Sequence, residues 1–251
     1  MVASPRAEER AGRSCAVNLQ GQAALIEMVN ISKVFKSLAG EFTALKDINA
    51  CFYPGEFVGV VGRSGSGKST LVNMLTGIDH PTTGSVRIVD TYPHALSGSR
   101  MAVWRGHNLG IVFQFFQLLP MLSLLENILL PMDFCNRYAP EEREERALHL
   151  LSMVGLEKSA YELPGAISGG QQQSAAIARA LANDPPIVIA DEPTGNLDSR
   201  AAENVMAIFE GLVEADKTVL MVTHDRGLAE RTQRILVLSD GELVDEIRRG
   251  S

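Results

Sequence analysis

Gly62-Arg63-Ser64-Gly65-Ser66-Gly67-Lys68-Ser69 carries glycine, lysine and serine at every fixed position of the pattern G-x-x-x-x-G-K-[ST]. Ahead of it, Phe57-Val58-Gly59-Val60-Val61 has the length and composition of a short buried strand. Behind it, Thr70-Leu71-Val72-Asn73-Met74-Leu75 begins a helical pattern. Strand, glycine loop and helix in that order make an anion site. Glycine permits backbone angles that other residues resist. Loop N–H groups then converge with the positive end of the helix dipole. In this arrangement Lys68 reaches the β- and γ-phosphates of a nucleotide and the Ser69 hydroxyl ligates Mg²⁺. Gly62, Arg63, Ser64, Gly65, Ser66, Gly67 and Thr70 complete the expected cradle.

The rest of the composition narrows the class. The chain has 251 residues, enough for a substantial core. Hydrophobic residues make up 45%, which fits a globular protein rather than a disordered one. The net charge is −7, against the basic surface of a general nucleic-acid binder, so no nucleic-acid partner is expected. Cys15, Cys51 and Cys135 are widely spaced and show no C-x-x-C or Cys/His spacing. The simple reading is a reduced, cytosolic protein without a metal cluster. No apolar run approaches the roughly 20 residues that cross a bilayer. Residues 1–23 hold Arg6, Arg10 and Arg13 without a long apolar segment. They read as a disordered tail, not a secretory signal, and Arg248-Arg249-Gly250-Ser251 reads as a frayed end.

Strand patterns flank a helical region. Residues 24–31 and 42–52 predict antiparallel strands, with turn signals at Ala39-Gly40 and Pro54-Gly55. Leu109-Gly110-Ile111-Val112-Phe113 is strand-like. Ile187-Val188-Ile189-Ala190 and Val219-Leu220-Met221-Val222 are continuous apolar runs, expected of parallel strands buried on both faces. Ile235 to Val244, around Asp240-Gly241, reads as a final hairpin. Pro140 followed by Glu141 to Arg146 marks a helix start with a solvated charged face. The strands on either side of this region are expected in one sheet, with residues 118–182 as an inserted helical lobe.

Two further stretches carry chemistry. Ile187 to Ala190 ends in Asp191-Glu192. A carboxylate at the end of a parallel strand can hold Mg²⁺ beside the phosphate loop, the expected role of Asp191. Glu192 is then the general base that orients or deprotonates water. Ser168-Gly169-Gly170-Gln171 precedes a helical stretch and offers a hydroxyl and close N–H groups to an anion, or simply an ordinary N-cap.

The phosphate loop, Ile167-Ser168-Gly169-Gly170-Gln171, Asp191-Glu192 and Thr223-His224-Asp225 occur in the order and spacing of ABC-type ATPase subunits, which the chain resembles from about Leu25 to Asp245. The resemblance implies an α/β fold. It consists of a P-loop NTPase core with a mixed sheet, an N-terminal antiparallel β subdomain and an inserted α-helical subdomain. The core would span 24–114 and 183–251 and the helical part 115–182, within one domain of residues 24–251. It also implies ATP and Mg²⁺ as cofactors. Ser168, Gly169, Gly170 and Gln171 would contact the γ-phosphate held by a partner subunit, so that a homodimer sandwiches two ATP molecules. Gln114 would contact Mg²⁺ and sense a separate transmembrane permease. Asp198, in Asn196-Leu197-Asp198, would cross the dimer interface. His224 would meet the γ-phosphate, and Phe35 would stack on adenine, unless it packs as an ordinary core residue. The protein would be cytoplasmic, held on the inner face of the cell membrane by its permease.

Val112-Phe113-Gln114-Phe115-Phe116-Gln117-Leu118-Leu119-Pro120, Glu126-Asn127-Ile128-Leu129-Leu130-Pro131 and Asp191 to Asp198 are similar to the lipoprotein-release and macrolide-export ATPases of LolD and MacB type, with the cell-division FtsE type close behind. Two positions depart from the family pattern. Ile167 replaces the usual leucine, and Ser174 stands where arginine is usual. A soluble relative in DNA repair or translation would carry a coiled-coil or zinc insertion, or two ATPase cores, and neither is present. A slow nucleotide-binding regulator is the remaining alternative. Glu192 and His224 speak against it, while Ser174 leaves it open.

Overall fold

Apolar residues on one face join the first two strands to the core. The computed structural model describes residues 21–38 and 40–249. The readings of residues 1–20, Ala39, Gly250 and Ser251 fall outside these. Strand β1 (Ile26–Ser37) pairs antiparallel with β2 (Gly40–Phe52), setting Ile26 opposite Phe52 and Phe35 opposite Phe42. Next, β3 (Phe57–Val61) is buried along its whole length and feeds through the glycine loop into α1 (Lys68–Thr76). β4 (Thr83–Ile88) returns to pair with β1, closing a three-stranded sheet in the order β2-β1-β4.

α2 (Gly98–Asn108) leads into β5 (Leu109–Val112). The helical lobe follows as α3 (Leu124–Cys135), α4 (Pro140–Met153) and α5 (Gly169–Ala180). The chain then builds β6 (Ile187–Asp191), α6 (Ser199–Glu214), β7 (Thr218–Thr223), the short α7 (Arg226–Ala229) and the hairpin β8 (Arg234–Ser239) with β9 (Glu242–Arg248). The second sheet has the order β5-β6-β7-β3-β8-β9, parallel except for β9.

Continuous apolar strands are needed because both faces of this sheet are covered. Side chains alternate across a strand. Ile187, Ile189, Val58 and Val60 therefore face one core, with Leu71, Val72 and Leu75 of α1 and Ile26, Ile31 and Phe52 of the small sheet. Val188, Ala190, Val219 and Met221 face the other, with Leu124 and Ile128 of α3, Leu150 and Leu151 of α4, Ile177 of α5 and Phe209 of α6.

Three expectations need correction, and one helix was not foreseen. The strands around the helical lobe form two sheets rather than one: β3 and β5 join β6 to β9 as expected, while β1, β2 and β4 pair among themselves as the antiparallel subdomain that the resemblance implies. α2 has no counterpart in the sequence reading. Met101 is its one buried residue, so no apolar stripe announces it. It is held instead by Arg105, which donates to the Thr76 and Gly77 carbonyls at the end of α1 at 2.9 and 3.0 Å. The charged start of α4 is not wholly solvated. Arg143 is buried and donates to Asp133 at 2.6 Å, Asn136 at 2.7 Å and the Tyr138 carbonyl at 2.9 Å. Cys51 is disulfide-bonded, while Cys135 is a free thiol. No helix among the described residues is long and apolar enough to cross a membrane.

Candidate functional site

The glycine loop crosses from the end of β3 to α1, crowded at its two ends, Gly62 and Gly67, and open between them. Gly67 caps α1 with φ 106°, and a Cβ there would stand 2.6 Å from the Ala44 carbonyl oxygen. Only glycine meets both conditions. Lys68 folds back over the loop. Its buried ammonium donates to the Gly62 carbonyl at 2.8 Å and the Arg63 carbonyl at 3.0 Å. Arg63, Ser64 and Gly65 remain exposed, whereas Ser66 is buried with its hydroxyl unpartnered. The loop is thus an open rim over a buried cation.

β6 and β7 bring the acids and the histidine to this rim. Parallel pairing sets Asp191 opposite Val222, so the two strands end side by side. Asp191 accepts a hydrogen bond from the Ser69 hydroxyl. Its other carboxylate oxygen, Oδ1, is buried without a partner. Burial, reinforced by the neighbouring Glu192 charge, pushes the Asp191 carboxyl above its ordinary pKa against the pull of Ser69 and Lys68. A hydroxyl and an unpaired carboxylate oxygen side by side are the hard oxygen donors that Mg²⁺ takes. Among the described residues no group of three His, Cys, Asp or Glu stands ready to cage a metal, so phosphate and water oxygens would have to complete the shell.

Glu192 follows in the left-handed region, with φ 48°. That is a costly conformation for a residue with a Cβ. It is fixed by the Glu192 N–H, which donates to the Val222 carbonyl at 2.8 Å. The turn aims the carboxylate back at the loop. One oxygen lies 3.9 Å from Lys68 Nζ and the other 2.8 Å from His224 Nδ1, and the His224 N–H reaches the same oxygen at 3.3 Å. His224 is 65% exposed, so its ring is open to a ligand on the rim. Lys68, Ser69, Asp191, Glu192 and His224 therefore converge.

The remaining candidates lie elsewhere. Ser168 caps α5, accepting from the Gln171 N–H at 3.3 Å, while Gln171 Oε1 accepts from the Ser168 N–H at 2.9 Å. That is a capping box, with the hydroxyl already used. A Cβ on Gly170 would stand 2.7 Å from that of Ala201, so glycine lets α5 approach α6 closely. Asp198 caps α6, accepting from Ala201 N–H at 2.8 Å. Among the described residues no hydrogen bond or ion pair joins the α5 start to the phosphate loop. Phe35 sits on the small sheet, 42% exposed, with Lys33 Nζ 5.0 Å from its ring centre. It is not a core residue. Thr70 lies within the first turn of α1. Gln114 follows β5, and its carbonyl accepts from Asn196 Nδ2 at 3.2 Å. Ser174 is buried within α5. Two residues the sequence reading passed over, Gln173 and Arg179, bind the backbone around Gln114. Their one signal is a polar side chain set in an alanine-rich helix.

Comparison with known proteins identifies the family and the fold. A family model described as ABC transporter matches residues 45–195. The chain is 46% identical over 226 residues to an uncharacterised ABC transporter ATP-binding protein of Methanocaldococcus jannaschii, spanning 88% of this chain and 96% of that one. It is 43% identical over 224 residues to the lipoprotein-releasing system ATP-binding protein LolD of Idiomarina loihiensis, covering 89% and 98%. It is 42% identical over 219 residues to the macrolide export ATP-binding/permease protein MacB of Chromobacterium violaceum, covering 87% of this chain but 34% of that larger protein. The solved ATP-binding cassette of the M. jannaschii protein is a dimer in a post-hydrolysis state bound to ADP and Pi. It superposes with a TM-score of 0.84 at 44% identity, covering 90% of this chain and all of that one.

Proposed function

Since the chain belongs to the ABC transporter ATP-binding family and is an ATP hydrolase, we propose that it works as a head-to-tail homodimer that sandwiches two ATP molecules and drives a separate membrane permease of lipoprotein-release or macrolide-export type. The observation that carries this reading is the convergence of Lys68, Ser69, Asp191, Glu192 and His224 at the ends of β3, β6 and β7. The dimeric ADP/Pi cassette and the LolD and MacB relatives support it.

In this reading Lys68 compensates phosphate charge inside the loop, where burial makes its ammonium count for more than it would in water. Ser69, Asp191 and Gln114 would hold Mg²⁺. When bound, the ion would supply positive charge that offsets phosphate charge developing in the reaction. Glu192 accepts a proton from the attacking water as general base. His224 fixes the Glu192 carboxylate and turns its exposed ring towards the γ-phosphate. Ser168, Gly169, Gly170 and Gln171 of one protomer close over the nucleotide of the other, beside Asp198. Phe35 stacks on the adenine. The protein then sits at the cytoplasmic face of the cell membrane through its permease.

The permease would dock on the helical lobe. Phe115, Leu119 and Met121 are exposed there, at 71%, 42% and 79%, whereas Leu118 packs into the core. Apolar anchors of this kind accept a short amphipathic helix. The test is co-purification of the full chain with its membrane subunit, with Mg²⁺-dependent ATPase measured on both. Phe115→Asp and Met121→Asp should lose the permease and its stimulation of turnover while the isolated subunit still hydrolyses ATP. Undiminished co-purification of these variants and of Leu119→Asp would move the docking surface elsewhere.

A further inference from the structure

Side chains from elsewhere in the fold hold the loop after β5 by its main chain. Arg179, on the last turn of α5, donates to the Phe116 carbonyl at 2.9 Å and to the Gln117 carbonyl. Gln173, six residues earlier on the same helix, donates to the Phe113 carbonyl at 3.3 Å. Asn196 donates to the Gln114 carbonyl between them. The loop requires such restraint. Phe116 and Gln117 both lie in the left-handed region, at φ 31° and 53°, which residues with a Cβ adopt only when their surroundings enforce it. The ring of Phe116 also closes on the start of α5, where a Cβ on Gly169 would stand 3.6 Å from it.

Fold stability alone does not account for the two donors. Gln173 is fully buried, and its Oε1 has no hydrogen-bond partner. An orphaned buried acceptor is a cost that an apolar side chain of similar size would avoid. Arg179 sinks a guanidinium into the lobe to reach main-chain oxygens, and burial pulls its pKa below the ordinary arginine value. In both cases what the side chain gains is a hold on the segment that carries Gln114.

We propose that Arg179 and Gln173 are positioning residues for ATP hydrolysis, locking the Gln114 loop to α5 so that Gln114 and the Ser168–Gly170 helix end keep one fixed relation. This rests on the reading of Gln114 as a contact of the nucleotide-bound metal. Neither residue touches the nucleotide. Each acts by setting where Gln114 stands when the site closes.

The test is steady-state ATPase of the purified full chain with Mg²⁺, alongside thermal melting. Arg179→Lys keeps the charge and the aliphatic stem but cannot fork to two carbonyls. Gln173→Met keeps the volume and removes the orphaned acceptor. Both should lower kcat by about 10- to 100-fold, the scale of a displaced catalytic group, with KM for ATP unchanged. Gln173→Met should melt no lower than the parent, an outcome that a purely structural role does not produce. The double variant Gln114→Ala/Arg179→Lys should be no slower than Gln114→Ala, because both changes remove the same contact. If Arg179→Lys does not fold, Gln173→Met decides. Parental kcat in the folded variants, with Gln114→Ala impaired, overturns the clamp and spares the reading of Gln114. Multiplicative losses in the double variant overturn it as well. Parental kcat in Gln114→Ala overturns the reading of Gln114, and the clamp with it.

Discussion

Glu192 Oε2 lies 2.8 Å from His224 Nδ1, across the ends of two adjacent parallel strands. The contact fixes a carboxylate that the backbone already aims by a left-handed turn. Glu192→Gln keeps the shape and loses the proton acceptor. Turnover should fall roughly 10²–10⁴-fold, the span of a general base, with ATP still bound. Phosphate release and nucleotide titration measure the two separately. Parental turnover would remove Glu192 from the reaction.

Lys68→Ala should abolish productive ATP binding. The ammonium is buried and braces the Gly62 and Arg63 carbonyls, so its loss leaves phosphate charge unmet and the loop unpinned. Hydrogen bonds to charged groups are worth about 1.5–3 kcal/mol each, so affinity should fall more than tenfold. A fluorescent-nucleotide titration at near-parental affinity would contradict the phosphate site.

Phe35→Ala should weaken nucleotide binding by about 0.5–1.5 kcal/mol, the scale of one aromatic contact. Its exposure means that the fold should survive the change. Phe35→Tyr should be close to neutral. Equal affinity for Phe35→Ala and the parent would place the base elsewhere.

Asp184 supplies a pH test of stability. The hydrogen bond from Lys217, at 2.6 Å, holds its carboxyl below the ordinary aspartate pKa against some burial, aided by Arg146 and Arg137. A lowered folded pKa gives stability that is present above the unfolded value and lost as pH falls through the folded one. Asp184 lies half-exposed with φ 51°, a conformation asparagine also tolerates. Asp184→Asn should therefore cost about 0.5–1 kcal/mol at pH 7. The gap from the parent should close below about pH 4. Denaturant melts at both pH values measure it, and a constant gap would contradict the ion-pair account.

The phosphate loop was legible because its chemistry is local. Glycines, Lys68 and Ser69 are neighbours in sequence, and the flanking strand and helix show in adjacent residues. The parallel strands were legible because burial on both faces leaves an unbroken apolar run. The Glu192–His224 contact depends on β6 and β7 lying side by side, and the sequence reading assigned the two residues separate roles without joining them. α2 was invisible because Arg105, not an apolar face, holds it. Arg179 and Gln173 escaped notice because they act through backbone carbonyls far along the chain, which no spacing rule reports.

The central claim is a nucleotide shared between two copies of the chain, and the Glu192→Gln variant tests it most directly. With hydrolysis blocked, ATP should remain between the α5 start of one protomer and the phosphate loop of the other. Size-exclusion chromatography with light scattering, in ATP and Mg²⁺, should show a dimer that reverts to monomer with ADP. A persistent monomer in saturating ATP, with nucleotide binding intact, would contradict the account.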